Sequence, residues 1–428
     1  MTTELDYPAS WYAASASAAP LRPALTGAVH CDVCVIGAGY TGLSTAIELA
    51  EHGYRVIVLE AARVGWGASG RNGGQIVNSY SRDIDVIERR HGKGAAARIG
   101  AMAFEGAAII RERVARHGIA CDLKPGNLFA AITPKQLHEL EQRQRLWEGL
   151  GHDGLTLLDA EGMRGEVGSE RYVGGLLDAR GGHVHPLNLA LGEAAALEAL
   201  GGTIFEHSPV ESIVYGEPAV LKTPSGRVDA RFVVVAGNAY LGQLIPELAE
   251  KTLPCGTQMI ATEALDADTA RRLLPRDHCV EDCNFLLDYY RLSADHRLLY
   301  GGGTVYGARE SGEVEAQIRP KLLKTFPELA GVRIDYAWTG NFSLTLSRLP
   351  QVGRIGPNIY YSQGCSGHGV SYTHLAGRLL AETIQGQSER FDAFAALPHH
   401  AFPGGRLLRV PLLTLGAWYY GWRDRLGM

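Results

Sequence analysis

Gly37, Gly39 and Gly42, in the run Gly37-Ala38-Gly39-Tyr40-Thr41-Gly42, are spaced so that main chain can close on a pyrophosphate. Gly37 permits a tight turn, Gly39 leaves room for phosphate oxygens, and Gly42 lets a helix lie close to the preceding strand. Tyr40 and Thr41 open that helix, whose N–H groups and positive dipole end favour an anion. Glu60 stands eighteen residues past Gly42, where a carboxylate can accept hydrogen bonds from ribose hydroxyls. Ala61, Arg63, Gly67, Ala68, Ser69, Arg71, Asn72, Gly73 and Gly74 follow at once. They form a backbone-lined passage for something long and anionic, with Ser69 and Arg71 offered to phosphate and Gly73-Gly74 passing beside a planar ring. The plainer alternative is a flexible surface loop.

These residues need a Rossmann framework to hold them. Residues 33–36 are an apolar run that reads as a buried parallel strand, 41–52 as a helix burying Leu43, Ala46, Ile47 and Ala50, and 55–59 as the next strand. The chain has 428 residues, 46% of them hydrophobic, enough for a large core in two domains. A net charge of −5 gives no basic surface for nucleic acid. Residues 1–6 carry no positive leader and no apolar stretch follows, so the cytoplasm is expected. Seven scattered cysteines argue against a disulfide framework. Cys31 and Cys34, three apart on one strand, are expected on opposite faces as core residues. Cys279 and Cys283 lack a histidine partner, and His183 and His185 lack a second cluster, so no metal is expected.

The fold class expected is α/β: a discontinuous Rossmann-type cofactor domain (30–93, 151–243 and 345–390) and an α+β substrate domain (94–150 and 244–344). Residues 1–29 read as an arm and 391–428 as an extension. Helices are expected at 94–116, 134–150 and 186–200, and strands at 203–205 and 231–235, the latter ending at the small residues Ala236 and Gly237. β-rich segments at 255–263, 285–292 and 297–303 form a covering sheet. A late strand, 358–362, leads through Gly367-His368-Gly369-Val370 into a helix at 368–383, whose N-terminus can stabilise negative charge on a bound ring. Residues 407–426 are too short and interrupted to span a bilayer. They are expected to pack on the protein or on a second subunit, with contact at a membrane surface as the alternative. The oligomeric state stays open.

The early glycine motif, the loop Gly67-Ala68-Ser69-Gly70-Arg71-Asn72-Gly73-Gly74 and the late Ser366-Gly367-His368-Gly369 together resemble the D-amino acid oxidase superfamily of FAD enzymes. Within it the chain is similar to the gamma-glutamylputrescine oxidases. That likeness runs from Trp11-Tyr12-Ala13-Ala14-Ser15 through Glu281-Asp282-Cys283-Asn284 to Arg423-Asp424-Arg425-Leu426-Gly427. The resemblance implies FAD, a covering sheet over the flavin, a backbone contact to adenine at Val210, and oxidation of a glutamylated amine to an aldehyde. Ammonia and, with molecular oxygen as acceptor, hydrogen peroxide are the other products. Sarcosine oxidases carry Phe-Lys where this chain has Val370-Ser371, and their oxygen-activating lysine is absent from Arg297-Leu298-Leu299-Tyr300. Their flavin-linking cysteine is also missing near Trp338-Thr339-Gly340, which implies non-covalent FAD.

A primary amine is mostly protonated at neutral pH and must lose that charge before its carbon can give up hydride. A desolvated aromatic pocket favours that loss. Tyr289, Tyr290, Trp338 and Phe342 are the expected lining, and His368 sits at the late turn. A glutamyl carboxylate calls for a planar arginine, Arg291 first and Arg348 second. The alternatives are an amino-acid dehydrogenase or oxidase of the sarcosine or glycine oxidase type, and a flavoprotein without turnover.

Overall fold

The computed structural model describes residues 6–307, 312–403, 405 and 408–415. Two sheets organise them. The first runs Gln351–Ile355, Ile359–Gln363, Gly226–Val235, Gly27–Ile36, Val56–Leu59, Thr203–Phe205 in spatial order. The four pairings from Ile359–Gln363 across to Thr203–Phe205 are parallel. Val33, Val35, Val58 and Val234 are fully buried at its centre, as expected for parallel strands covered on both faces.

Helix Tyr40–Glu51 crosses helix Gly369–Ile384 on one side of this sheet. The crossing is close because residue 377 is glycine: a Cβ there would overlap the Ser44 side chain. Ser44 Oγ then donates to His374 O at 3.0 Å, tying the first and last helices of the cofactor module.

The second sheet runs Ile334–Thr345, Thr252–Thr262, Leu298–Tyr306, Asp288–Leu292, Cys279–Asp282, Lys124–Ala131, Gly174–His183, Gln75–Ile76, with Leu155–Asp159 paired to Gly174–His183. Residues 151–243 therefore do not all lie with the first sheet, since Gly174–His183 pairs antiparallel with Lys124–Ala131. The chain rejoins the first sheet after helix Pro186–Ala199.

Other departures have local causes. The single helix expected over 94–116 is two, Lys93–Met102 and Glu105–His117, because the Phe104 ring leaves the first to stack on His152 at 4.2 Å. The N-terminal arm contains the helix Trp11–Ala14, capped by Ser10, with Trp11 and Tyr12 buried, so it supplies core. Cys31 and Cys34 share one apolar layer instead of facing apart. The N–H groups of Asp32 and Val33 both donate to Arg55 O there, which breaks strict alternation. All seven cysteines are unpaired thiols. Phe391 and Phe394 are fully buried, so the C-terminal extension begins as core.

Residues 408–415 are helical; Val410 and Leu413 pack on Leu253, Cys255, Leu344 and Phe402, while Leu408, Leu412 and Leu415 are exposed. The rest of the 407–426 segment, and the 423–427 motif, lie outside the described residues. Among those described, no helix is long and apolar enough to cross a membrane, and no group of three potential ligands could hold a metal ion.

Candidate active site

The first glycine turn is held by main chain. Gly37 has φ +103°, its N–H donates to Leu59 O at 2.8 Å, and a Cβ there would come within 3.1 Å of Ala236 O. Ala236 N–H in turn donates to Ile36 O at 2.9 Å, so Ala236-Gly237 lies beside the turn. A Cβ at Gly42 would overlap Gly37 O. Gly39 stands at the N-terminus of helix Tyr40–Glu51 with no side-chain cap. Ser69 Oγ accepts from Tyr40 N–H at 3.0 Å, bringing the second glycine loop onto this helix end. Tyr40 itself points into the core, its hydroxyl donating to Pro186 O, so only its backbone serves the turn. Glu60 accepts from Ala38 N–H at 2.7 Å and Ala62 N–H at 2.9 Å, while burial pushes its carboxyl above the usual range. Ala61 is exposed, and Val210 is half-buried beyond Glu60.

The loop after Glu60 is ordered, not a flexible surface turn. Arg63 lies 4.7 Å over the Tyr7 ring. Arg71 is 3% exposed, stacks 4.5 Å over Trp66 and donates to the Tyr240 hydroxyl at 2.6 Å. Asn72 donates to Ala68 O and Ser69 O and accepts from Gly74 N–H, folding the loop on itself. A Cβ at Gly67 would meet the Tyr240 ring at 3.0 Å, and one at Gly73 the Tyr289 ring at 2.7 Å.

A cavity of about 340 Å³ opens from this loop. Ala68, Arg71, Asn72 and Gly73 line one side, and Gly367, His368, Gly369 and Val370 another, so residues some 300 positions apart share one space. Gly364 N–H donates to Asn238 Oδ1 at 3.0 Å, holding the late loop against the turn that follows Val235. His368 Nδ1 lies 2.9 Å from Ser79 Oγ, and burial lowers its imidazole to about 4, leaving it neutral.

The second sheet forms the opposite wall. Across its strands, Trp338 pairs with Met259, Met259 with Gly301, Gly301 with Tyr289, Tyr289 with Glu281 and Glu281 with Phe129, so these side chains share one face. Tyr289 lines the cavity and its hydroxyl meets Thr257 Oγ1 at 2.7 Å. Tyr290 must face the other way: it stacks on Tyr300 at 5.3 Å and meets the Tyr172 hydroxyl, as core. Arg291 does not serve the cavity either. Its guanidinium donates to Gly73 O at 2.8 Å, Leu292 O at 3.0 Å and the Tyr12 hydroxyl at 3.2 Å, and it does not line the cavity. Trp338 lies behind the loop, donating to Arg71 O at 3.1 Å. Phe342 and Arg348 do line the cavity, with Arg348 4.6 Å over the Phe285 ring.

Sequence reasoning found the helix Pro134–Gly149 but did not place its Gln136 and Arg143, or Glu281, in the cavity. A carboxylate inside the buried strand Cys279–Asp282, in register with Tyr289, was the available signal.

The model of the DAO family, FAD-dependent oxidoreductases, matches residues 32–383. The chain belongs to this family. It is 60% identical over 424 residues to the gamma-glutamylputrescine oxidoreductase of Escherichia coli, covering 99% of this chain and 100% of the relative. It is 42% identical to a probable oxidoreductase of Haemophilus influenzae, covering 94% of each. Solved folds agree: L-proline dehydrogenase from P. horikoshii superposes with TM-score 0.72 at 20% identity, over 85% of this chain and 96% of that one. Glycine oxidase from Geobacillus kaustophilus gives 0.69 at 22%, over 84% and 95%.

A FAD-dependent oxidoreductase needs a cradle for a dinucleotide, and the residues here fit one. The helix end at Gly39, where Ser69 Oγ meets Tyr40 N–H, together with the half-buried Glu60 and the buried Arg71, offers donors and a ribose acceptor in sequence.

Proposed function

We propose that this enzyme oxidises the terminal primary amine of gamma-glutamylputrescine, or a closely related gamma-glutamylated diamine, to the aldehyde with release of ammonia and, by oxygen, hydrogen peroxide. The observation that carries the reading is the 60% identity, end to end, with the E. coli gamma-glutamylputrescine oxidoreductase. The cavity agrees with such a substrate, because it offers cationic Arg348 for a carboxylate and anionic Glu281 for an amine.

Gly37, Gly39 and Gly42 would take the pyrophosphate of FAD, Glu60 the ribose, Val210 the adenine by its backbone, and Gly367 to Val370 the pyrimidine edge of the ring. Bound FAD supplies the two-electron acceptor at the carbon bearing the amine. The chain's own part is to bind, orient and keep water out. Tyr289, Phe342 and Phe129 supply apolar lining, which favours the neutral amine over the ammonium. His368, uncharged, places no competing cation beside it. Non-covalent attachment is supported by the thiols nearest the cavity: burial pushes Cys283 up to about 12 and also raises Cys365, so neither is a ready nucleophile. Seven unpaired cysteines fit a reducing cytoplasm.

The purified flavoprotein is to be mixed anaerobically with gamma-glutamylputrescine, free putrescine, glycine, sarcosine and proline. Flavin bleaching by the glutamylated diamine first, followed by aldehyde, ammonia and peroxide on admitting air, is the expected result. Faster bleaching by an amino acid would overturn the substrate assignment, and bleaching without peroxide would overturn oxygen as acceptor.

A further inference from the structure

Most buried carboxylates near the cavity are committed to partners. Asp83 accepts from Arg143 at 2.6 Å and from Trp147 at 3.1 Å, and Asp282 from Arg171 at 3.2 Å and from the N–H groups of Asn284 and Asp288. Asp288 accepts from Lys321 at 2.7 Å. Glu281 differs. It is 6% exposed, it lines the cavity, and among the described residues its carboxylate accepts no hydrogen bond and forms no ion pair. An unpartnered buried carboxylate is costly, so it persists where something else supplies the partner. Its cross-strand neighbours on the same face are Tyr289 and Phe129, which make an aromatic setting suited to an alkylammonium.

We propose that Glu281 receives the substrate's primary ammonium and takes its proton. The proposal rests on the amine-oxidation reading above. An N–H bond of the ammonium breaks, an O–H bond forms on the Glu281 carboxylate, and the electron pair stays on nitrogen. The neutral amine then remains in the cavity with a lone pair to assist loss of hydride from the adjacent carbon. Burial raises Glu281 to about 7, which narrows the gap to an amine near ~10 and makes the transfer less uphill than to an ordinary carboxylate. The charged and titratable groups around it are Arg143 from helix Pro134–Gly149, Tyr289 from the next strand, and Cys279, Asp282 and Cys283 beside it, while Arg71, Arg82, Glu139, Arg348 and His368 line the same cavity. Arg143 is held by Asp83 and does not reach ion-pair distance of Glu281.

The test is kcat/KM for gamma-glutamylputrescine from roughly pH 6 to 10 in FAD-loaded wild type, Glu281→Gln and Glu281→Asp. With Glu281 accepting the proton, wild type rises to a plateau above about pH 7. Glu281→Gln must instead capture the rare neutral amine. Its rate should fall by about 100-fold near pH 7.5 and recover by roughly tenfold per pH unit toward the amine pKa near ~10. Glu281→Asp should keep the wild-type shape at a reduced plateau. Should the Gln variant not accumulate as folded flavoprotein, Glu281→Ala with added formate is read instead: restored neutral-pH rate supports the proposal, and no restoration overturns it. A Gln profile parallel to wild type overturns this proposal alone. Wild type that binds FAD yet turns over no amine overturns the functional reading, and this proposal with it.

Discussion

Three consecutive residues show what side-chain chemistry can and cannot say. Tyr289, Tyr290 and Arg291 are all plausible pocket residues by type, yet period-two alternation sends Tyr290 to the back of the sheet. Arg291 shares the front face but lies beyond the cavity, against Gly73 and Tyr12, because the N-terminal helix occupies that end. That helix was illegible: beyond packing on each other, its two aromatics find their partners far along the chain. Arg291→Met should therefore cost about 3 kcal/mol of stability by leaving buried acceptors unpaired, read as a lower denaturant midpoint, whereas Arg348→Met should raise KM for the glutamylated substrate at least tenfold with little loss of stability. Glu281 also carries a stability signature. Its folded-state pKa, about 7, lies above the ordinary 4.5, so the native state binds the extra proton and stability falls as pH rises through that window. Glu281→Gln should accordingly raise Tm at pH 8 relative to wild type and leave it nearly unchanged at pH 4.5, which calorimetry at the two pH values checks.

At the level of elements, the glycine spacing was the most legible part. Helices predicted at 41–52 and 368–383 are found at Tyr40–Glu51 and Gly369–Ile384, because glycine turns and apolar faces are local signals. Less legible was why these two helices lie so close. Gly377 carries no turn or cap signal; its purpose shows only when Ser44 and Thr45 are seen against it. Gly377→Val would drive the helices apart and break the Ser44 to His374 bond. An expected loss of about 2–3 kcal/mol in urea unfolding, together with weaker retention of flavin on dialysis, follows if both helices begin at the proposed cofactor cradle. The break at Phe104 was hidden for the complementary reason: no proline lies within 94–116, and the His152 ring that captures Phe104 lies far away in sequence.

Across the whole molecule, five strands of the first sheet and three of the second could be read in sequence, but the pairing order of the second could not. The parallel pairing of Cys279–Asp282 with Lys124–Ala131 joins segments some 150 residues apart, and no local pattern specifies such a partner. This long-range closure is also what brings residues 68–73 and 367–371 into one cavity with the second sheet as its wall. A ligand that touches both loops must therefore stabilise both together. Saturation to roughly a thousandfold above Kd adds about 4 kcal/mol to the native state. Removing FAD should raise amide exchange in 66–74 and in 364–371 in parallel, while Val33 to Ile36 and Val233 to Val235, buried at the sheet centre, stay protected. Hydrogen exchange read by mass spectrometry, with and without FAD, measures this directly. Loosening of one loop alone would mean that the two glycine turns serve different ligands, and the shared cradle would have to be abandoned.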